Sequence, residues 1–386
     1  MTLDQLGSIS RGRSRHRPRD AKFLYGGPFP FVQTGDVRKA GLYLRDFEQT
    51  YSEAGLAQSR LWPRGTLCIT IAANIAETSI LDIEACFPDS VIGFIAKPKR
   101  ADARFVKYLF DATLKMKFRS FTQGAAQDNL SQAKLLSMKF PVPELVVQTE
   151  IADILSAYDD LIENNRRRIA LLEEAARLLY REWFVHFRFP GHEQVKIIDS
   201  IPDGWTRRKL VKLAEVVMGQ SPKSKFYNDV GDGLPFHQGV TDYGFRFVSH
   251  RTYSTAVTKL ARAGDILVSV RAPVGRINIT RDKIVLGRGL AAVRSRTERQ
   301  SFLFYALKNL FYAENIIGTG AIYAATNKKE LESQTLIEPA KKVLAEFDEQ
   351  VRGIDQNIAN LTTQNEKLSQ ARDLLLPRLM SEEIAV

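Results

Sequence analysis

The residues of this chain with most chemistry to offer are its cations. Arg11, Arg13, Arg15, Arg17, Arg19 and Lys22 fall in one short stretch against a single Asp20. A second group, Arg271, Arg276, Arg281, Lys283, Arg288, Arg294 and Arg296, sits in and around the loops that follow an apolar run at 265–270. Lys and Arg together number 55 against 44 Asp and Glu, a formal net charge of +11. An excess of this size favours a polyanionic partner, because each phosphate neutralised releases condensed counterions. Arginine can hydrogen-bond guanine bidentately, and glutamine or asparagine can do so with adenine. Gln33, Gln220, Gln238 and Asn327 lie in expected loops and are candidates for base reading. The cluster at 11–22 is a candidate for phosphate contact as a unit.

Catalytic patterns are missing. The chain has no Pro-Pro dipeptide, so the proline-proline-aromatic loop of an amino-methyltransferase is absent. Gly318-Thr319-Gly320 is a lone GxG without the third glycine of a cofactor fingerprint, and no GxxxxGK[ST] phosphate loop occurs. No Glu-x-Lys is present, which removes the usual carboxylate-lysine signature of a metal-dependent nuclease. His16, His186, His192, His237 and His250 are scattered without a partner Ser, Cys or metal ligand. Cys68 and Cys86 form neither a CxxC nor a disulfide framework, which fits a reducing cytosol. No apolar run of membrane-spanning length occurs, and residues 1–5 lack a signal-peptide layout. The expectation is a cytoplasmic recognition protein that binds no metal or cofactor and leaves catalysis to others.

The elements that must position these cations come in duplicate. Residues 152–179 and 348–375 share their apolar positions at an offset of 196. Ile151, Leu155, Tyr158, Ile162, Asn165, Ile169, Leu172, Ala176, Leu179 and Trp183 step by four and three. Phe347, Val351, Ile354, Ile358, Leu361, Asn365, Leu368, Arg372, Leu375 and Leu379 answer them. A 3.5-residue repeat sustained this long predicts two paired coiled-coil helices, each with one register-restricting Asn at a different level of the repeat. Upstream, Leu135-Leu136-Ser137 matches Leu331-Glu332-Ser333, and Gln123-Gly124-Ala125 matches Thr319-Gly320-Ala321. The run at 65–70 parallels 264–269, and Pro30-Phe31-Val32-Gln33 parallels Pro235-Phe236-His237-Gln238. The offset drifts from 196 to 199 to 205, as unequal surface loops would make it.

The chain therefore reads as globule, long helix, globule, long helix. Short strands are expected at 66–71, 90–96, 265–270 and 284–286, and helices at 103–114 and 300–313. Pro190, Gly191 and the loss of heptad pattern mark 187–200 as a linker, and Pro377 should kink or end the second helix. Arg166-Arg167-Arg168 interrupts the first rod off its seam, either as a solvated helix surface or facing a duplex. Similar globules on paired helices suit two separated half-sites of a duplex, with the rod as the ruler.

Particular motifs carry a resemblance. Leu171-Leu172-Glu173-Glu174-Ala175-Ala176-Arg177, running on through Arg181-Glu182-Trp183-Phe184, resembles the first helical spacer of type I restriction-modification specificity subunits. Arg372-Asp373-Leu374-Leu375-Leu376-Pro377-Arg378 resembles the second. Ile201-Pro202-Asp203-Gly204-Trp205, Gly219-Gln220-Ser221-Pro222 and Ala272-Pro273-Val274-Gly275 resemble landmarks of a target recognition domain. The resemblance implies an α+β chain: a recognition domain at 1–144, a spacer helix at 145–186, a linker at 187–200, a second domain at 201–340 and a second helix at 341–381. Each domain would read half of a bipartite target containing an adenine to be methylated.

Two methyltransferase subunits would dock on the antiparallel helices with S-adenosylmethionine. Two motor-nuclease subunits would bring ATP and Mg. The loops at 219–222, 239–243 and 272–276 would face DNA; Ser221, Lys223, Arg271, Arg276 and Arg288 complete the candidate contacts. Residues 12–14 lack the Pro that follows Gly219-Gln220-Ser221, and 71–77 does not reproduce the Ala-Pro-Val-Gly loop. The alternative is a coiled-coil scaffold, or a non-restriction DNA-binding module of another phage-defence methyltransferase complex.

Overall fold

The computed structural model describes residues 1–72, 75–115, 131–313, 325–381 and 383–384. The matched segments 123–125 and 319–321 and the Gly318-Thr319-Gly320 run lie outside the described residues. By contact the chain divides into two units, Met1–Arg168 with Asn360–Val386, and Ile169–Ala359.

In the first unit the strands are β1 (Gly7–Arg11), β2 (Tyr25–Phe31), β3 (Tyr43–Leu44), β4 (Gln49–Tyr51), β5 (Leu67–Thr70), β6 (Thr78–Leu81) and β7 (Val91–Ala96). The main sheet has the order β1-β7-β5-β6-β3, and β2 pairs β4 beside it. Apolar runs such as Leu67-Cys68-Ile69, buried on both faces, explain why β5 lies centrally. One face packs on the helix Ala103–Phe110, whose Phe105, Val106, Leu109 and Phe110 are buried. Ile151, Ala152, Leu155 and Leu379 of the two long helices join that same core.

The second unit holds β8 (Ile197–Ile198), β9 (Ile201–Pro202), β10 (Thr206–Lys209), β11 (Ala214–Met218), β12 (Tyr227–Asn228), β13 (Leu234–His237) and β14 (Tyr253–Ser254). There follow β15 (Leu260–Ala261), β16 (Ile266–Ser269), β17 (Ile277–Ile279), β18 (Ile284–Leu286), β19 (Leu290–Ser295) and β20 (Thr335–Glu338). Its main sheet runs β11-β19-β16-β17, flanked by β12-β14-β13-β18-β15. The helix Gln300–Ala313 covers one face, as the sequence predicts.

The two long helices run Leu145–Phe184 and Lys341–Met380, 40 residues each. The first contains neither Gly nor Pro; the second runs through Pro377 and ends one turn later, so the proline does not stop it on the spot. Within each unit they lie antiparallel. In the second, Phe347 meets Tyr180, Trp183 and Phe184 with ring centroids 6.1, 5.8 and 4.9 Å apart. In the first, Asn165 Nδ2 donates to Asn365 Oδ1 at 3.0 Å. The two seam asparagines, at different levels of the repeat, thus meet once the helices run in opposite directions. A buried amide left without that partner would cost about 1–3 kcal/mol.

The same packing ties the helix that covers each sheet to the long helices. Tyr108 donates to Asp159 at 2.6 Å in the first unit, and Tyr305 to Asp355 at 3.1 Å in the second. Arg372 completes the first pair from the second long helix. Arg246, 4% exposed, completes the second from a loop, reaching Glu173 at 2.7 Å and Asp355 at 2.6 Å. Residues 187–200 are more ordered than a linker: Phe189 is buried against Trp205, and β8 pairs β9.

Candidate nucleic-acid interface

The second domain assembles its candidate residues at one end of its sheet. There β11 and β16 finish and β17 and β19 begin, with Met218 opposite Ala291, Ser269 opposite Leu290 and Val268 opposite Ile277. The loops beyond are knitted by main-chain bonds. Gly219 N–H donates to Leu290 O and Gln220 N–H to Leu286 O, both at 2.9 Å. Arg288 N–H donates to Ser221 Oγ at 3.2 Å, and Thr258 Oγ1 to Gln220 O. Gly287 N–H donates to His237 O, Gly289 N–H to Gln238 O, and Val270 N–H to Gly289 O. Thr326 N–H then donates to Val270 O, and Ala325 bridges Arg271 antiparallel. Ser269 Oγ accepts from Arg276 N–H at 2.9 Å.

Gln220, Ser221, Gln238, Arg271, Arg276 and Arg288 therefore share one rim, with Lys223 just beyond it. Gln220, Lys223, Gln238, Arg271, Arg276 and Arg288 are exposed. Asn327 is different: its Oδ1 caps the helix Lys328–Ser333 by accepting from Glu330 N–H at 3.0 Å. Arg294 lies at the opposite end of the sheet, bound to Asp265 at 2.5 Å and Glu215 at 3.3 Å. Its proximity in sequence to Arg288 does not carry it to the rim.

Sequence reasoning missed the device beneath Gln238. Buried His237 shares a hydrogen bond with His250, Nε2 to Nδ1 at 2.9 Å, and His250 Nε2 lies 3.0 Å from Asp282 Oδ2. Burial pushes the His237 imidazole down to about 4, the neighbouring His250 adds to this and Asp242 opposes it. The expected loop at 239–243 holds that Asp242, whose carboxylate also pairs with Arg251. The signal available in the sequence was only His237 beside Gln238.

The first domain builds the same frame. Arg11 ends β1 opposite Ile92, and Thr70 ends β5 opposite Val91. Gly12 N–H donates to Val91 O at 2.9 Å and Arg13 N–H to Phe87 O at 3.0 Å. These bonds repeat those of Gly219 and Gln220. Both glycines are required by close packing: an added Cβ would fall 2.3 Å from Phe87 O at Gly12 and 2.1 Å from Gly287 O at Gly219. Thr70 Oγ1 accepts from Glu77 N–H at 3.0 Å, as Ser269 Oγ does from Arg276.

Residues 71, 76 and 77 therefore repeat the main-chain bonds of their counterparts although the segment lacks Ala-Pro-Val-Gly. Ala76 at φ 63° stands where Gly275 stands at φ 80°. Ile71 N–H donates to Ser90 O as Val270 does to Gly289. Phe31 bridges Cys86 in parallel, as Phe236 does Val285.

Side chains on this second frame differ. Arg11, Arg13, Arg15, Arg17 and Lys22 are exposed. Arg17 folds back on the carbonyls of Ser14 and His16 at 2.7 and 2.8 Å. Arg19 is held bidentately by Asp89 at 3.0 Å. Gln33 donates its amide to Gln49 at 2.6 Å. Along the first rod, Arg167 and Arg166 pair with Glu163 at 3.2 and 4.0 Å on an exposed face. Among the described residues no group of three or more His, Cys, Asp or Glu is placed to hold a metal ion. No helix in them is long and apolar enough to cross a membrane.

A family model described as the type I restriction modification DNA specificity domain matches residues 1–174 and again residues 202–370. The chain belongs to this family. Its two matches to that domain cover the two frames just described. Among curated proteins, this specificity chain is similar to the putative type I restriction enzyme MjaX specificity subunit of Methanocaldococcus jannaschii, 33% identical over 266 residues. That match spans 67% of this chain and 62% of the relative. The MjaIX specificity subunit of the same organism is 25% identical over 408 residues, covering 100% of this chain and 93% of the relative. The solved type I restriction-modification S subunit from M. genitalium has the same fold at 14% identity, with a TM-score of 0.59 over 98% of this chain and 95% of that one.

Proposed function

We propose that the chain reads the two halves of a bipartite DNA target, one with each domain, and performs no chemistry itself. What supports this reading is the repeated rim: one main-chain frame, built twice, carrying exposed Arg, Lys and Gln in two different arrangements. Rigid backbone with free polar side chains is what base readout requires. Net positive charge supplies the nonspecific, salt-dependent part of the binding.

In this reading the long helices set the unread spacer and carry two methyltransferase subunits, which bring S-adenosylmethionine. Motor-nuclease subunits using ATP and Mg join that assembly in the cytoplasm. Methylated-base sequencing of host DNA with and without the gene tests the central claim. The expected result is one bipartite adenine-methylated motif that disappears with the gene. Replacing residues 201–340 by the corresponding domain of a relative should change one half-site only. A motif unaffected by that exchange would refute the reading, as would DNA binding that does not weaken with salt. Adding one heptad to both helices should lengthen the spacer and leave both half-sites intact.

A further inference from the structure

The repeated frame carries one position at which the two domains present different base-reading groups on matched main chain. We infer that the residue after the packed glycine discriminates the half-sites, with Arg13 selecting guanine in one and Gln220 selecting adenine in the other. This rests on the reading that both rims face DNA.

The two residues are equivalent by bonding. Each donates its N–H to the carbonyl four residues before the one its glycine reaches, Arg13 to Phe87 at 3.0 Å and Gln220 to Leu286 at 2.9 Å. Each follows a glycine that cannot accept a Cβ, so its Cα is held to the sheet. Both side chains are exposed, and neither hydrogen-bonds or ion-pairs with a described residue. The two types read purines with the same bidentate geometry, Arg at the O6 and N7 of guanine and Gln at the N6 and N7 of adenine. A single frame can therefore present either.

Other equivalent positions fit less well. Gln33 and Gln238 are the same residue, so they cannot distinguish the half-sites, and the Gln33 amide is already given to Gln49 at 2.6 Å. Arg288 has Asp89 in its place in the first domain, where Arg19 holds that carboxylate at 3.0 Å. Arg276 faces Glu77 across the comparison, and a carboxylate can only accept from a base while repelling the phosphates around it.

The test introduces Arg13→Gln and Gln220→Arg separately into the otherwise complete system and sequences the methylated bases. Arg13→Gln should replace a guanine by adenine at one position of one half-site, and Gln220→Arg should do the reverse in the other. Purified complexes should then bind duplexes permuted at that position with a preference inverted by on the order of ten- to hundredfold. Arg13→Lys, which keeps the charge, should flatten the preference without lowering the salt dependence.

An unchanged motif overturns the inference, and so does a change in the wrong half-site. If a substitution abolishes methylation, permuted duplexes still decide: weakening shared equally by all sequences means phosphate contact and also overturns it. Failure of the underlying reading is distinct, since domain exchange would then move neither half-site.

Discussion

The two domains hold the same hydrogen-bonded rim and put different charges at its equivalent positions. Where the second places Arg276 and Arg288, the first places Glu77 and Asp89, and where the second has Gln220 the first has Arg13. The frame survives because it consists of main-chain bonds and two serine or threonine hydroxyls, which do not depend on the outward side chains. Frame and outward charge are thereby separated: one is written in the backbone, the other in exposed side chains.

The anchoring of each domain on the helices breaks this parity, and substitutions there should expose the difference most strongly. Arg246 is almost fully buried among Glu173, Asp355 and Tyr305, whereas Arg372 leaves 26% of its side chain exposed beside Asp159. Arg246→Ala leaves buried Glu173 with Lys308 alone and Asp355 with two hydroxyls, and should lower stability by about 3 kcal/mol. Arg372→Ala should cost clearly less, about 1–2 kcal/mol, because solvent reaches that site. Chemical denaturation of both variants checks the order, and equal losses would contradict the burial argument.

Acid should separate the domains next. His237 has a folded value near 4 against 6.5 for the free imidazole. The unfolded chain therefore binds the proton first, and the second domain should lose stability as pH falls from 6.5 towards 4. The full loss is on the order of 3 kcal/mol. Denaturant midpoints taken across that range should decline, and His237→Asn should remove most of the decline. The first domain has Val32 at the equivalent place and should not show it.

The smallest difference lies in the turns. Ala76 carries a positive φ that Gly275 carries without strain. Ala76→Gly should stabilise the first domain by up to about 1 kcal/mol. Gly275→Ala should destabilise the second by more than that, since the new Cβ would also fall 2.8 Å from the Phe311 ring. Thermal unfolding of the two variants reads the opposite signs.

Much of the architecture was legible in the sequence because it rests on periodicity. The heptads foretold both long helices, and short β-rich runs foretold β5, β7, β16 and β18 within a residue or two. What escaped was whatever depends on pairing rather than spacing. Asn165 and Asn365 look unrelated at a constant offset, and only antiparallel packing brings them together. The segment at 71–77 looks divergent because the bonds at its two ends use backbone and the Thr70 hydroxyl rather than a recognisable motif. Arg294 looks like an interface cation because sequence proximity ignores that β19 carries it to the far end of the sheet. Asn327 is exposed and polar as a base reader should be, yet its oxygen is occupied by a helix N-terminus.

The amide contact between Asn165 and Asn365 also constrains how such a protein can drift. A single-residue insertion in either helix would slide one amide against hydrocarbon while leaving the other stranded. Viable length variants are therefore those in which both helices gain or lose whole repeats together, which makes inheritance of helix length stepwise rather than continuous.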